Sequence, residues 1–273
     1  MSPAPQPVPQ PLLQGVLGTF GGISARYLMT GRSGGVSRPP YDEANLALHV
    51  GDDDAAVRAN RAALADALAP DVHRLVFMDQ AHGARVSVLA SLDDRPDAGV
   101  DAMVTTVPAL ALAVLVADCV PVVMSDAAAG VVAVAHAGRP GLVAGVVPAT
   151  LEAMGAVGAH PDRTVALLGP AVCGTCYEVP PELAADVARQ VPAARCVSRT
   201  GTPALDVAAG VAAQLRAGGV RQVQQADLCT QEAASCFSYR RDRTTGRFAG
   251  LVWLGSAMRD DRGRAGRSRD VPG

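Results

Sequence analysis

Leu110-Ala111-Leu112-Ala113-Val114-Leu115-Val116-Ala117-Asp118-Cys119-Val120-Pro121-Val122-Val123-Met124, followed soon by Val131-Val132-Ala133-Val134-Ala135-His136, decides how this chain is read. Its apolar runs are too short for helices and rich in β-branched Val. Ala111 to Val116, Val120 to Met124 and Val131 to Ala135 therefore read as strands, with links of hairpin length between several runs in this part of the chain. Further short strands are expected at Leu75 to Met78, Arg85 to Leu89 and Asp101 to Thr105. So many strands in one stretch argue for a mixed sheet and against a doubly wound parallel fold.

Helical spacing appears outside this stretch. Asp52 to Leu68 places Ala56, Ala59, Ala63, Leu64 and Leu68 towards one face, behind an acidic first turn. Gly141 to Met154 is a helix in which Pro148 demands a kink or break. Pro181 to Gln190 starts on Pro, and Asp206 to Ala217 ends at Gly218-Gly219. Asn45 to Val50 reads as a strand or extended segment, and Val165 to Leu168, Val220 to Ala226 and Phe248 to Leu254 complete the strands. The expected fold is a mixed α/β, single-domain layered sandwich, with one large sheet and helices packed outside. Residues 15–255 form the domain. The Pro/Gln-rich segment 1–14 and the charged tail 256–273 are expected to be disordered.

At 273 residues, the chain is long enough for a sizeable core. Only 3% of it is aromatic, against 49% apolar overall, so that core is built from Ala, Val and Leu. A net charge of −2 argues against a nucleic-acid binder. Asp118 interrupts the longest apolar run before it reaches the roughly 18 residues of a membrane span. The N-terminus lacks the basic start and apolar core of a signal peptide, which makes cytoplasmic location the default. In that compartment the six cysteines suit metal binding or free thiols better than disulfides. Cys173-Gly174-Thr175-Cys176 is a C-x-x-C, but no second cysteine pair has zinc-ribbon spacing, so it reads as two ordinary loop thiols.

The chemistry concentrates at strand ends. Cys119, His136 and His82 each follow an apolar run, and each alone reads as an ordinary packed side chain. Together they form a nitrogen-and-sulfur set suited to zinc or copper, with three protein ligands leaving a position open. Asp118 would point to the opposite face from Cys119 in an extended strand, whereas at a bend it could orient a histidine or act as a general base. Arg32, in a Gly-rich loop, and Arg240, Arg241 and Arg247 are candidates for binding an anion such as phosphate. His49 is expected near the site but outside the metal set, and His73 and His160 at the surface.

Several motifs then occur in a familiar order: Arg32-Ser33-Gly34-Gly35-Val36-Ser37, Asn45-Leu46-Ala47-Leu48-His49-Val50-Gly51-Asp52, Gln80-Ala81-His82-Gly83, Asp101-Ala102-Met103-Val104-Thr105, Ala117-Asp118-Cys119-Val120-Pro121-Val122, Ala135-His136-Ala137-Gly138, Gly169-Pro170-Ala171-Val172, Cys176-Tyr177-Glu178-Val179 and Phe237-Ser238-Tyr239-Arg240-Arg241. From about Arg32 to Leu254 the chain resembles the laccase-domain family, once called multicopper polyphenol oxidoreductases and now regarded as purine nucleoside phosphorylases. The resemblance implies a Zn2+ or Cu2+ ion on His82, Cys119 and His136, with Asp118 beside them. Its implied substrates are adenosine, inosine and methylthioadenosine with phosphate, and adenosine deamination is an implied second activity. Arg32, Asn45, Arg240 and Arg247 are the expected substrate contacts. Partners are thus purine nucleosides and phosphate, with no nucleic acid and no membrane; the sequence carries no signal of oligomeric state.

The chain departs from the family at one place. Where the family commonly reads His-Ala-Gly-Trp-Arg-Gly, this chain has His136-Ala137-Gly138-Arg139-Pro140-Gly141, so Arg139 would have to replace the usual Arg from a shifted position. Two other classes compete: a copper-dependent phenol oxidase and a non-enzymatic binding protein. Five histidines are too few for a trinuclear copper cluster plus a blue copper centre.

Overall fold

The computed structural model describes residues 7–256. The strands are β1 (Pro11–Phe20), β2 (Ile23–Thr30), β3 (Arg74–Phe77), β4 (Val86–Leu89), β5 (Ala102–Thr105), β6 (Leu110–Val116), β7 (Val120–Asp126), β8 (Val131–Ala137), β9 (Val165–Leu168), β10 (Arg195–Val197), β11 (Pro203–Leu205), β12 (Gln222–Gln225) and β13 (Phe248–Ser256). The helices are α1 (Asp54–Leu68), α2 (Arg139–Ala144), α3 (Val146–Ala156), α4 (Pro181–Gln190), α5 (Val207–Ala217) and α6 (Tyr239–Asp242). No helix among them is long and apolar enough to cross a membrane.

The mixed α/β expectation holds, but the large sheet is two. One has the order β1-β2-β13-β6-β3 and the other β12-β9-β7-β8-β5-β4, with β10 and β11 as a separate pair. In each main sheet most neighbours run antiparallel, while β3–β6, β4–β5 and β9–β12 are parallel.

Period-two alternation sorts the side chains into layers. Leu110, Leu112 and Val114 of β6 meet Val123 of β7 and Val132 and Val134 of β8 between the two sheets. Ala111, Ala113 and Leu115 point the other way, towards Leu64 of α1. Val120, Val122 and Met124 of β7, with Ala133 and Ala135 of β8, pack against Leu142, Leu151, Val187 and Val211 on the outer helices. The result is four layers: helix, sheet, sheet, helices. Both faces of the central strands are covered, which is why they read as continuous apolar runs.

Several boundaries differ from the sequence reading. Pro11 to Gln14 belong to β1, paired antiparallel to β2, so the expectation of disorder fails for residues 11–14. Proline fits there because Pro11 is the first residue of an edge strand, where its missing N–H removes no interior ladder bond. At the other end Ser256 closes β13, and residues 1–6 and 257–273 lie outside the described residues. Asn45 to Val50 is not a strand: Asn45 to Ala47 carry no regular structure and Leu48-His49 form a turn. The break in the expected 141–154 helix falls at Gly145, with φ 84°, where glycine turns the chain without a Cβ penalty. Pro148 then lies in the first turn of α3, where its missing N–H is tolerated.

Strands β6 and β7 are not hairpin partners. Ala117-Asp118-Cys119 instead carries the chain from one sheet to the other, as does the link from β3 to β4 that contains His82. Two of the three expected ligands therefore lie on inter-sheet crossings, and His136 ends β8 beside them.

Candidate metal centre and active site

The three side chains converge. One ligand atom each from His82, Cys119 and His136 lies within 4.8 Å of the other two. Cys119 Sγ is 3.9 Å from His82 Nε2, and the two imidazole rings meet edge to face at a centroid distance of 4.6 Å. His136 is buried, Cys119 half-buried and His82 exposed, so the group opens to one side.

Local backbone geometry produces this convergence. His82 and Asp118 both have positive φ, 60° and 93°, a region that non-glycine residues seldom occupy. Such geometry persists where surrounding contacts enforce it. At His82 the enforcing group is Asp101, whose Oδ1 accepts from the His82 backbone N–H at 2.9 Å and whose Oδ2 accepts from Gly83 N–H at 2.6 Å. At Asp118, Oδ1 accepts from Thr230 Oγ1 at 2.7 Å, Oδ2 from Arg240 N–H at 2.6 Å, and the carbonyl from Val172 N–H at 3.0 Å.

Asp101 is the functional residue that the sequence reading missed. Fully buried, it meets His136 Nδ1 at 2.8 Å and so leaves Nε2 of that ring for an ion. Orienting a histidine thus falls to Asp101. Both oxygens of Asp118, expected to orient a histidine or act as a base, are committed to Thr230 and Arg240 at the cavity wall. The local signal for Asp101 is slight: it opens the Asp101-Ala102-Met103-Val104-Thr105 motif, immediately before a four-residue strand.

Burial pushes the Cys119 thiol up, but His136 and His82 outweigh it and bring its pKa down to about 6. Burial pulls His136 down, while the Cys119 charge and Asp101 outweigh that and raise it to about 9. In the ion-free protein these two form a thiolate–imidazolium pair. The donors fit zinc or copper: two imidazoles, one thiolate and an open side. Gly138 also keeps the centre clear, since a Cβ there would lie 3.0 Å from both Cys119 Sγ and His82 Cδ2.

The group sits in the wall of a cavity of about 480 Å³, the size of a small-molecule site. Arg139, Arg240, Arg243 and Arg247 line it, together with His49, Tyr177 and Tyr239. Arg139, Arg240 and Arg243 have no ion-pair partner among the described residues. Arg240 stacks over Tyr177 at 4.6 Å, and burial lowers the pKa of Arg247. His49 is lowered by burial and by Arg247. His73 and His160 are exposed, as expected.

The other expected contacts have different roles. Arg32 is absent from the cavity lining; its guanidinium binds the Asp42 carbonyl at 2.7 Å and the Asp42 and Asp242 carboxylates. Asn45 is fully buried and also off the lining, but its Oδ1 accepts from Arg247 N–H at 2.9 Å and so positions a residue that does line the cavity. Arg241 is consumed in holding the Thr230, Ala233 and Cys236 carbonyls. Arg139 and Arg243, which were not expected as substrate contacts, line the cavity beside Arg240 and Arg247.

Residues 26–255 match the family model described as multi-copper polyphenol oxidoreductase laccase. The chain belongs to this family. A laccase-family relative from Streptomyces coelicolor, named purine nucleoside phosphorylase, is 58% identical over 231 residues, 84% of this chain and 96% of its own. Another so named, from Pseudomonas aeruginosa, is 38% identical over 84% of this chain and 93% of its own. Among solved laccase-family structures, NMB0706 from Neisseria meningitidis superposes with a TM-score of 0.77 at 34% identity, covering 89% of this chain and 99% of its own. YlmD from Geobacillus stearothermophilus gives 0.76 at 33%, with coverage of 88% and 93%.

Proposed function

We propose that the protein is a metal-dependent purine nucleoside phosphorylase that takes adenosine, inosine and methylthioadenosine with phosphate, and that also deaminates adenosine. The observation that carries this reading is that four arginines line the same cavity as the His82–Cys119–His136 group. The name shared by the relatives from Streptomyces coelicolor and Pseudomonas aeruginosa supports it.

Phosphate is the ligand that suits Arg139, Arg240, Arg243 and Arg247, because guanidinium forks match its oxygens and its charge. Tyr177 and Tyr239 offer aromatic faces against which a purine can stack. In phosphorolysis a phosphate oxygen bonds to the anomeric carbon while the bond to the purine nitrogen breaks, and its electron pair leaves with the base. Arginines that hold the phosphate in line with that bond supply orientation and charge balance. Zinc is the ion proposed for His82, Cys119 and His136; when bound, it supplies a Lewis acid beside the substrate. Asp101 holds the His82 turn and His136 by hydrogen bonds of its carboxylate.

The test is a chromatographic assay of the three nucleosides with and without phosphate, alongside metal analysis. Free base and ribose 1-phosphate formed only with phosphate support the reading. Turnover that is unchanged in metal-free Cys119→Ala would sink it.

A further inference from the structure

The parallel pair β9 and β12 sends two loops out side by side. Ala171 and Cys229 extend the pairing as an isolated parallel bridge, and Thr230 N–H bonds the Ala171 carbonyl at 3.0 Å. This brings Cys173-Gly174-Thr175-Cys176 against Cys229-Thr230-Gln231-Glu232. The ligand atoms of Cys173, Cys176, Cys229 and Glu232 all lie within 4.8 Å of one another.

Both segments have the same form, two donors separated by two residues. Each is closed by a backbone hydrogen bond across that spacing: Cys176 N–H to the Cys173 carbonyl at 3.0 Å, and Glu232 N–H to the Cys229 carbonyl at 3.2 Å. Two such turns facing each other are the chelating unit of zinc-ribbon sites, here with a carboxylate in place of the fourth thiolate. The pattern escaped the sequence reading because that reading sought a second cysteine pair. The Cys173 backbone N–H also points at Cys229 Sγ, 3.3 Å away, as outer-shell donors do in thiolate sites. None of these cysteines forms a disulfide.

We propose that Cys173, Cys176, Cys229 and Glu232 form a second, closed site for a thiophilic divalent cation, with zinc the best fit to three sulfurs and one oxygen. Binding displaces the thiol protons and leaves one Glu232 oxygen for Arg199, already its ion-pair partner. Four protein ligands leave no position for substrate, so the role is structural. What it holds is the cavity wall. Val172 and Tyr177, which flank the first pair of cysteines, line the active cavity. Thr230, next to Cys229, and Val172 both bond Asp118. The ion therefore ties together the two loops that bracket Asp118.

The test uses Cys119→Ala, which removes the sulfur of the first centre. After incubation with Zn2+ and desalting, this variant is expected to hold one non-exchanging zinc per chain by elemental mass spectrometry, and Cys119→Ala with Cys229→Ser none. Reconstitution of Cys119→Ala with Co2+ is expected to give thiolate-to-metal charge-transfer absorption, which the first centre cannot supply without its thiolate. Absence of that band, or a Cys173–Cys176 disulfide in the freshly isolated protein, would overturn the proposal. Should the double variant fail to fold, the cobalt spectrum of Cys119→Ala alone decides. None of these readouts involves nucleoside turnover, so they stand apart from the phosphorylase assay.

Discussion

Asp101 and His136 are joined twice: the His136 backbone N–H donates to the Asp101 carbonyl at 2.7 Å, and the side chains meet at 2.8 Å. Because the same carboxylate holds the His82 turn, one residue sets the positions of two ligands. Asp101→Asn keeps the shape and removes the charge. Metal affinity at the first centre is expected to fall roughly 10- to 100-fold, as for other outer-shell partners of ligating histidines. Chelator competition measures this, and unchanged affinity would show that Asp101 does not organise the centre.

Gly138 has ordinary negative φ, −76°, so alanine there meets no backbone penalty. Its Cβ nonetheless meets Cys119 and His82. Gly138→Ala is expected to cost about 1–3 kcal/mol of stability by overpacking and to empty the first centre. Calorimetry and metal analysis on one sample separate the two effects. Full metal occupancy would mean that the ligands tolerate the intrusion.

Reactivity of Cys119 is expected to follow its lowered pKa. In metal-free protein its alkylation rate should rise with a midpoint at about pH 6, well below an ordinary thiol, and zinc should protect it. The stability consequence has two edges. A lowered thiol pKa stabilises the fold at higher pH, and that contribution is lost as pH falls through about 6. The raised imidazole of His136 works in reverse, its contribution being lost as pH rises through about 9. Because one contribution grows as the other fades, thermal melts of the metal-free protein are expected to vary little with pH between about 6.5 and 9 on account of this pair, and a pronounced maximum there would show that the two groups do not titrate together.

Two arginines give a paired test. Arg240→Ala removes a guanidinium that lines the cavity and has no ion-pair partner among the described residues, so KM for phosphate should rise by roughly 10-fold or more, the loss of one charge-assisted bond. Arg32→Ala breaks pairs with Asp42 and Asp242 away from the cavity. It should lower Tm and leave that KM unchanged. Steady-state kinetics with phosphate varied distinguishes them, and an opposite pattern would relocate the anion site.

What could be read from the chain was local. Strands β6, β7 and β8 were visible because both faces are buried, and α1 because its spacing and acidic start are contiguous; Asp53 does cap it, accepting from Ala55 N–H. The candidate ligands His82, Cys119 and His136 were visible because each follows an apolar run. Pairing was not visible: nothing in Ala117-Asp118-Cys119 distinguishes a hairpin from a crossing between sheets. Asp101 acts on a residue 35 positions away, and Asn45 acts through Arg247, 202 positions away. Arg32 resembled an anion-binding residue because its Gly-rich loop is conspicuous, but two carboxylates already occupy it. The strand at Pro11 was obscured by the prolines around it, one of which starts an edge strand.

The crossing at Ala117-Asp118-Cys119 fixes the chain's length there by parity. Val116 points between the sheets, whereas Val120 and Val122 point to the outer helices. Adding or deleting one residue in the link would invert β7, turning Val123 towards the helices and Val120, Val122 and Met124 towards the other sheet. The cysteine's place in the chain is thus counted out by two hydrophobic cores, and the need for a packed interior by itself resists any change in loop length beside the candidate ligands.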